Sequence, residues 1–277
     1  IEKTAKGFTF HTKGGDFYAT KCIMATGGKT LKKSGSDGSG FLYLESLGHH
    51  IIDLVPGLIG LKGKQSFFAD IAGIRADVKV DLYIESTHVC SEQGELQLTN
   101  YGISGIPVFQ LSRVATRALS EQKKVYATLN FVPFWEKEQC LTYFKERFKK
   151  ADEKHIGEAL IGFFPEKLIP VLLEESHIKA AKYANRLQTE ELESFIDTVQ
   201  GLRVDITDWN TFDTAQVTAG GVDTDEIDAE TMESKLCPGL YFAGEMVDID
   251  GICGGYNLQW AWSSGAVAGI HVARELS

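Results

Sequence analysis

The stretch from Pro238 to Gly265, PGLYFAGEMVDIDGICGGYNLQWAWSSG, limits what this chain can fold into more than any other. A Pro-Gly turn precedes the apolar run 240–243, which predicts a short buried strand. Glycines follow that strand, and the apolar spacing from Tyr256 to Ile270 then predicts a helix. A strand, a glycine turn and a helix in this order are typical of an α/β fold, in which the helix begins at the carboxyl end of a sheet.

The start of this predicted helix is a candidate ligand site. Free backbone N–H groups and the helix dipole at such a position favour anions and electron-rich oxygens. Without a ligand, the same spacing would describe a helix packed on the sheet of any α/β enzyme. The glycine pair beside acidic and amide side chains favours the ligand site. Its candidate residues are Gly244, Glu245, Asp248, Gly254, Gly255, Tyr256, Asn257, Leu258 and Gln259.

Two other glycine pairs follow runs that predict strands, at 21–25 and 214–218. Glycine has no Cβ, so it permits a positive φ and the close approach of another group to the backbone. Each pair by itself is weak evidence of a ligand contact. Taken together, they extend the candidate site to Thr26, Gly27, Gly28, Gly220 and Gly221.

Composition excludes several classes of partner. The chain has 277 residues, 43% of them hydrophobic, and a formal net charge of -10, which argues against nucleic acid and anionic membrane surfaces. No apolar run approaches the ~18 residues of a membrane helix. Its 5 cysteines are widely spaced without a CxxC pair, so neither a disulfide framework nor a metal site is predicted. A reducing, cytoplasmic setting is expected.

The middle of the chain differs in character from its two ends. Period-two alternation at 76–84, 87–90 and 94–99 predicts antiparallel strands, and another strand is predicted at 124–131. Helices are predicted at 108–121, 135–150, 158–173 and 190–198. The predicted fold is therefore α/β, or α+β overall, with an insert over 58–208 that is β-rich at 58–132 and helical at 133–200. Residues 1–57 and 209–277 form the domain that the insert interrupts.

The motif GE-x-x-DIDG-x-CGGYNLQ-x-AWSSG-x-x-AG, from Gly244 onward, resembles the C-terminal signature of the bacterial BaiN-like flavoproteins. These proteins are usually labelled NAD(P)/FAD-dependent oxidoreductases or aminoacetone-oxidase-family FAD-binding enzymes. The resemblance recurs along the chain in ATGG at 25–28, GELQLTNYGISGIP at 94–107, TAGGV at 218–222 and EID-x-x-TMESK at 226–235. It implies a partial FAD-binding three-layer domain interrupted by the β-rich and helical insert.

The resemblance also implies FAD as the cofactor, with NAD(P)H as a possible co-substrate. Glu245 or Asp248 would accept hydrogen bonds from ribityl or ribose hydroxyls. Backbone N–H groups of 256–258 would face the flavin pyrimidine edge and stabilise charge that develops on reduction. Tyr256, as a stacking group or proton donor, is the one weak candidate for a catalytic residue. Cys253 is either a redox-active thiol or a small buried residue, and the second alternative is favoured.

The G-x-G-x-x-G motif that grips a cofactor pyrophosphate does not occur in this sequence. Members of the family carry it upstream of the point where this chain begins, so a truncated protein without its first βαβ unit is expected. The leading hypothesis is an FAD-dependent oxidoreductase of unknown small-molecule substrate, active by hydride transfer through the flavin. The alternatives are a non-catalytic fragment that does not hold FAD alone and, less favoured, a plain NAD-dependent dehydrogenase.

Other polar residues are expected to be structural or solvated. His49 and His50 are predicted at an exposed helix end, and the acidic run from Asp223 to Asp228 in a solvated loop. Three arginines could meet an anionic substrate or the nicotinamide dinucleotide, but a solvated face is the favoured interpretation for them: Arg75, Arg113 and Arg117.

Overall fold

The structure, a computed structural model, describes residues 1–276. Backbone contacts divide the chain into two compact units. Unit 1 combines Ile1–Ile59 with the chain from Asn210 onward, and unit 2 comprises Gly60–Trp209. One stretch of chain thus leaves unit 1, folds as unit 2 and returns.

The two longest strands, of 10 and 13 residues, belong to unit 2. In chain order they are β1 (Glu2–Thr4), β2 (Gly7–Thr12), β3 (Gly15–Ala19), β4 (Cys22–Met24), β5 (Ile51–Gly57), β6 (Leu61–Gly63), β7 (Arg75–Ile84), β8 (Thr87–Thr99), β9 (Gly102–Gly105), β10 (Val125–Asn130), β11 (Leu202–Trp209), β12 (Val217–Val222) and β13 (Leu240–Phe242).

Most helices belong to unit 2, whereas the longest one ends unit 1. They are α1 (Ser39–Ser46), α2 (Phe68–Ile71), α3 (Ile106–Ser120), α4 (Lys137–Lys149), α5 (Ile156–Leu160), α6 (Leu168–Glu175), α7 (Thr189–Gly201) and α8 (Tyr256–Glu275).

Unit 1 is assembled from three small sheets around one core. Strands β1, β2 and β3 form an antiparallel meander, β5 pairs antiparallel with β12, and β4 pairs parallel with β13. The core gathers Phe8, Leu44, Tyr241, Phe242 and Ala268 from these strands, from α1 and from α8. Apolar residues that lie far apart in the chain therefore meet in one cluster, as the α/β pattern requires.

Unit 2 is a closed six-stranded barrel joined to a helical cluster. The strand order around the barrel is β10-β11-β6-β9-β8-β7, with β7 also paired to β10. Alternate residues point inward, for example Val78, Val80 and Leu82 on β7, and they are buried while their neighbours are not. The helical cluster is built on aromatic rings, with Phe144 in contact with Phe164 and Phe195.

The predicted fold class is confirmed, and the differences concern the limits of single elements. The segment predicted as two strands at 87–90 and 94–99 is one strand, β8. The predicted helix 158–173 is two helices, α5 and α6, with a turn between them. Gly162 adopts a φ of 80° in that turn, and Pro165 follows it, which cannot continue a helix because its ring blocks the required hydrogen bond.

The prediction that His49 lies at an exposed helix end is wrong. Its side chain is buried, with Nδ1 2.7 Å from Oε2 of Glu226 and Nε2 3.0 Å from Oγ of Ser234. Glu226 is thus held in this contact and is not a fully solvated loop residue. The apolar groups around the ring, including Phe242 in an edge-on contact, explain the burial. His50 is exposed, as predicted.

Within residues 1–276, no helix combines the length and the apolar character that crossing a membrane would require.

Candidate functional site

Two parallel strands bring the predicted site residues of unit 1 to one edge. Strand β4 pairs with β13 in register, Met24 opposite Phe242, and the N–H of Ala243 donates to the carbonyl of Met24 at 3.0 Å. Because the strands run the same way, the segments that follow them start side by side. Thr26, Gly27 and Gly28 leave β4 at the edge where Gly244 and Glu245 leave β13.

The carboxylate of Glu245 ties these segments together. Its Oε2 accepts from the N–H of Gly28 at 2.9 Å, and its Oε1 accepts from the N–H of Thr218 at 2.9 Å. Burial raises the pKa of Glu245, while the two backbone hydrogen bonds act in the opposite direction. Both carboxylate oxygens are therefore engaged within the protein, and Glu245 positions the turn after β4.

Gly28 is closely surrounded at this point. A Cβ placed on it would lie 2.6 Å from Cβ of Thr218 and 2.7 Å from Oε2 of Glu245. The hydroxyl of Thr218 also accepts from the N–H of Lys29 at 2.8 Å. Thr218 was not among the predicted residues, although its place in the TAGGV motif is the sequence signal for it.

Gly220 and Gly221 lie inside a strand and do not follow one. The predicted strand 214–218 is observed as β12, Val217–Val222, so both glycines belong to it. Pairing with β5 shifts register between Ala219 and Gly221, and Gly220 has a φ of 96°. A Cβ on Gly221 would lie 2.6 Å from the carbonyl oxygen of Met246. The physical reason is a β-bulge that needs positive φ and close backbone approach.

The start of α8 is open. Gly255 is its N-terminal cap with a φ of 91°, and no atom lies within 4 Å of the place where its Cβ would stand. Gly254 and Tyr256 beside it are exposed, and Leu258 is exposed by 61%. The N–H groups of the first helical turn have no partner inside the helix. This predicted helix start is confirmed, and it combines free donors with open space.

Several predicted side chains at the helix start are bound within the protein. The side-chain amide of Asn257 accepts from the N–H of Gly251 at 2.8 Å and donates to its carbonyl at 2.9 Å. Gln259 donates to Oγ of Ser263 at 2.9 Å. These contacts fix the 251–255 loop and leave the backbone N–H groups as the available donors.

Gly244 is also held by α8. Its N–H donates to Oγ of Ser264 at 2.9 Å, and its carbonyl accepts from Nε1 of Trp260 at 3.0 Å. These bonds fix the helix against the end of β13. Ser264 and Trp260 are positioning residues that were not among the predicted site residues.

Two polar groups near this edge have no protein partner among residues 1–276. The side-chain carboxylate of Asp248 lies in a segment whose backbone N–H donates to Val222 at 3.0 Å, but the carboxylate itself makes no hydrogen bond. Oγ of Ser36 is buried without a partner and lies 2.9 Å from where a Cβ of Gly27 would stand. Ser36 lies just before α1, between Gly35 and Gly38, and was not predicted as a site residue.

These groups fit a dinucleotide with hydroxyls and a flat ring. Such a cofactor needs backbone donors, an acceptor for hydroxyls and surfaces without a Cβ. The chain offers the first turn of α8, Asp248 and Gly255, and the buried hydroxyl of Ser36 needs a partner that the described protein atoms do not supply. Cys253 does not add a reactive thiol, because burial raises its pKa.

A parallel strand pair with a glycine turn and a helix at its carboxyl end is the arrangement of a Rossmann-like nucleotide-binding domain. Residues 1–271 match the family model described as the HI0933-like protein Rossmann domain. The chain therefore belongs to the HI0933-like family of flavin-dependent oxidoreductases, and the resemblance to BaiN-like proteins is confirmed.

Three curated relatives align with nearly the whole chain. A 3-dehydro-bile acid delta(4,6)-reductase of Clostridium scindens is 44% identical over 97% of this chain and 66% of its own length. Ribosomal RNA dihydrouridine synthases of Escherichia coli and Haemophilus influenzae are 29% and 28% identical, over 95% and 97% of this chain. The chain spans 63% and 64% of those two synthases, so about two thirds of the relatives' length is represented.

Proposed function

We propose that this chain carries part of the flavin site of an FAD-dependent oxidoreductase that is reduced by NAD(P)H. The observation that carries the proposal is the open glycine cap at Gly255, with the free N–H groups of α8 beside the unpartnered carboxylate of Asp248. FAD, when bound, supplies two-electron transfer between the nicotinamide and the substrate. Membership of the HI0933-like family supports this class of chemistry.

Different residues of the chain would bind the hydroxyls, the ring and the backbone-facing surface of the cofactor. Asp248 would accept hydrogen bonds from cofactor hydroxyls, because its carboxylate is free, whereas Glu245 holds the glycine turn. The N–H groups of 256–258 would donate to the acceptor atoms at the pyrimidine edge of the flavin and stabilise the negative charge that develops there on reduction. The exposed hydroxyl of Tyr256 would hold or deliver a proton. Thr26 and the glycines at 27, 28, 220 and 221 would shape the backbone around the cofactor.

The relatives suggest the class of substrate. A reductase of delta(4,6) double bonds in a 3-dehydro steroid and a synthase of dihydrouridine both concern a carbon–carbon double bond conjugated with a carbonyl. We therefore include in the proposal a conjugated, electron-poor double bond as the group that is reduced. The 44% identity favours a small molecule over RNA as its carrier.

Of the three segments 1–57, 58–208 and 209–277, we propose that the first and last hold the cofactor and that the middle one, the insert, does not. This division makes flavin retention a property of unit 1 alone.

The test is the visible absorption spectrum of the full chain after incubation with FAD and desalting, followed by anaerobic addition of NADH or NADPH. A retained flavin band that the nicotinamide bleaches is the expected result. A folded, colourless protein would instead support the alternative that this chain alone does not hold FAD.

A glycine pair sharpens the test. Gly255→Val should abolish flavin retention, because its side chain would fill the open cap. Gly73→Val in unit 2 is the matched control, since Gly73 has a φ of 90° against 91° and equally has no atom within 4 Å. Equal flavin content in the two variants would remove Gly255 from the site.

A further inference from the structure

The outer face of the barrel in unit 2 carries a second concave surface. A cavity of about 460 Å³ lies where β7, β10 and β11 run side by side, within the ~300–1,000 Å³ typical of small-molecule sites. We call it the barrel cleft, and its lining residues include Lys64, Glu85, Lys124, Tyr126, Arg203 and Asp205.

An arginine in the barrel cleft is held as a flat platform. Tyr126 lies on the middle strand and stacks on Tyr83 of β7, with ring centroids 4.7 Å apart and planes 2° from parallel. On the β11 side, Cζ of Arg203 lies 3.9 Å from the centroid of the Tyr126 ring. The side-chain N–H groups of Arg203 donate to Oδ1 of Asp205 from Nε and Nη2, both at 2.9 Å.

The Asp205 carboxylate is itself fixed. Oδ2 of Asp205 accepts from the side-chain amide of Gln65 at 3.3 Å. The backbone N–H of Asp205 donates to Oε1 of Gln65 at 3.2 Å. The guanidinium is therefore oriented before any ligand arrives, while its side chain remains exposed by 58%. A guanidinium plane that is stacked on one side offers its other face to a flat, electron-rich ring.

Two ammonium groups complete the barrel cleft. Lys64 and Lys124 are exposed, and within residues 1–276 neither ammonium makes a hydrogen bond or ion pair. Two carboxylates also line the cleft: Asp205 accepts from Arg203, and Oε1 of Glu85 accepts from the backbone N–H of Lys124 at 3.0 Å. Two free positive charges next to a stacking platform suit a phosphate attached to a ring.

We propose that the barrel cleft binds a nucleotide, with the base stacked on Arg203 and the phosphate between Lys64 and Lys124. The nucleotide is either free or one unit of a single strand, because both present the same ring and phosphate. The whole chain has a net charge of -10, so the positive charge of the cleft is local. Because the lysines would hold the phosphate by charge, binding is expected to weaken as salt is raised. The proposal concerns unit 2 and does not depend on the flavin site.

The experiment measures binding of cytidine monophosphate and of a fluorescein-labelled oligocytidylate to the full chain at low salt. A pyrimidine is chosen because a site for the adenine of FAD would not be expected to favour it. Lys64→Ala/Lys124→Ala should weaken both ligands at least about tenfold. The matched control is Lys145→Ala/Lys149→Ala, which removes the same charge from exposed positions of α4 in the same unit.

Arg203→Lys separates stacking from charge. It keeps the positive charge but loses the planar group, so nucleotide affinity should fall about tenfold while inorganic phosphate binds unchanged. Tighter binding of the oligonucleotide than of the monophosphate would assign the cleft to a strand, and equal binding to a free nucleotide. Absence of binding, or equal affinity in the cleft and control variants, would overturn the proposal.

Discussion

Unit 2 buries its apolar surface on itself, whereas unit 1 leaves much of its own uncovered. The barrel of unit 2 closes, so each strand has two neighbours, and its core runs on into the aromatic helical cluster. In unit 1, β4 pairs with β13 alone, and α8 buries only Ser264 and Ala268 out of 20 residues. Trp262 on that helix is exposed by 67%.

The contrast separates a region held by a closed apolar core from a region in which side-chain hydrogen bonds hold segment ends together. Parallel strands usually lie in larger sheets that are covered on both faces, so a parallel sheet of only two strands is unusual. In unit 1, Glu245 and Ser264 accept hydrogen bonds from backbone N–H groups, and Trp260 donates one to a backbone carbonyl; these bonds hold the segments that follow the strands. The free donors and open glycines of the proposed flavin site lie among these bonds.

The largest expected effect tests whether the two units are stabilised separately. Phe144→Ala removes a fully buried ring from the centre of the aromatic cluster and should cost about 3–5 kcal/mol of unfolding free energy. Hydrogen exchange should accelerate in α4 and α7 while the amides of β4 and β13 keep their protection. Urea unfolding gives the total cost.

Phe134→Ala is the control for that variant, because Phe134 is exposed by 69% in the same unit. It should change stability by less than about 0.5 kcal/mol. If Phe144→Ala accelerated exchange equally in both units, the separation would fail, and the chain would unfold as one cooperative body.

The second expected effect concerns the hydrogen bonds that Glu245 accepts from two backbone N–H groups in unit 1. Glu245→Gln places an amide NH2 against one of two backbone N–H groups, which leaves that donor without an acceptor and should cost about 1–3 kcal/mol. Burial raises the pKa of Glu245, so the folded protein holds this proton more tightly than the unfolded chain does. Wild-type stability should therefore fall as pH rises from the ordinary glutamate pKa toward the raised one.

The variant lacks this titration, so the stability difference between the two proteins should shrink over that pH interval. Urea unfolding at a series of pH values measures it. Glu230→Gln, an exposed residue of the same unit, is the control and should follow the wild type. A difference that stays constant with pH would show that Glu245 does not titrate differently on folding.

The smallest effect compares two tryptophans on one helix. Trp260→Phe loses the hydrogen bond to the carbonyl of Gly244, which keeps a longer contact of 3.3 Å from the N–H of Val247, so the cost should be about 0.5–1.5 kcal/mol. Trp262→Phe, at an exposed position, should change stability by less than about 0.5 kcal/mol. Thermal unfolding of both variants checks the order, and the reverse order would mean that α8 is not held through Trp260.

Local patterns in the sequence predicted much of the fold. The alternation on β7, the helical spacing of α4 and the glycine cap of α8 each depend on neighbours within a few residues, so they are visible in the text of the chain. Closure of the barrel was not predicted, because it depends on β7 meeting β10 across more than one intervening element. The single long β8 was divided because Gly94 and polar residues imitate a turn.

At the candidate site, the helix start at Gly255 could be predicted from the sequence, whereas the place of Gly220 and Gly221 inside a strand and the partners of the polar side chains could not. Gly255 combines a turn with a helix start, and only local geometry is needed to expect it there. Nothing in the sequence distinguishes Glu245, which is bound by two amides, from Asp248, which is free, because their partners are Gly28 and Thr218 in distant segments. The sequence likewise does not indicate that Ser36 lies close to Gly27, because the two residues meet only in the folded chain.

The buried contact of His49 has the layout of a hydrolase triad, with a serine, an imidazole and a carboxylate in line. The hydroxyl of Ser234 takes part in structural hydrogen bonds with the backbone. Oγ of Ser234 accepts from the N–H groups of Leu236 at 3.1 Å and Cys237 at 2.7 Å, so both of its lone pairs are committed. Its own proton then points at Nε2 of the ring, which places the imidazole proton on Nδ1, toward Glu226. Ser234 and His49 are buried, and the three side chains act as a clasp between three segments of the chain.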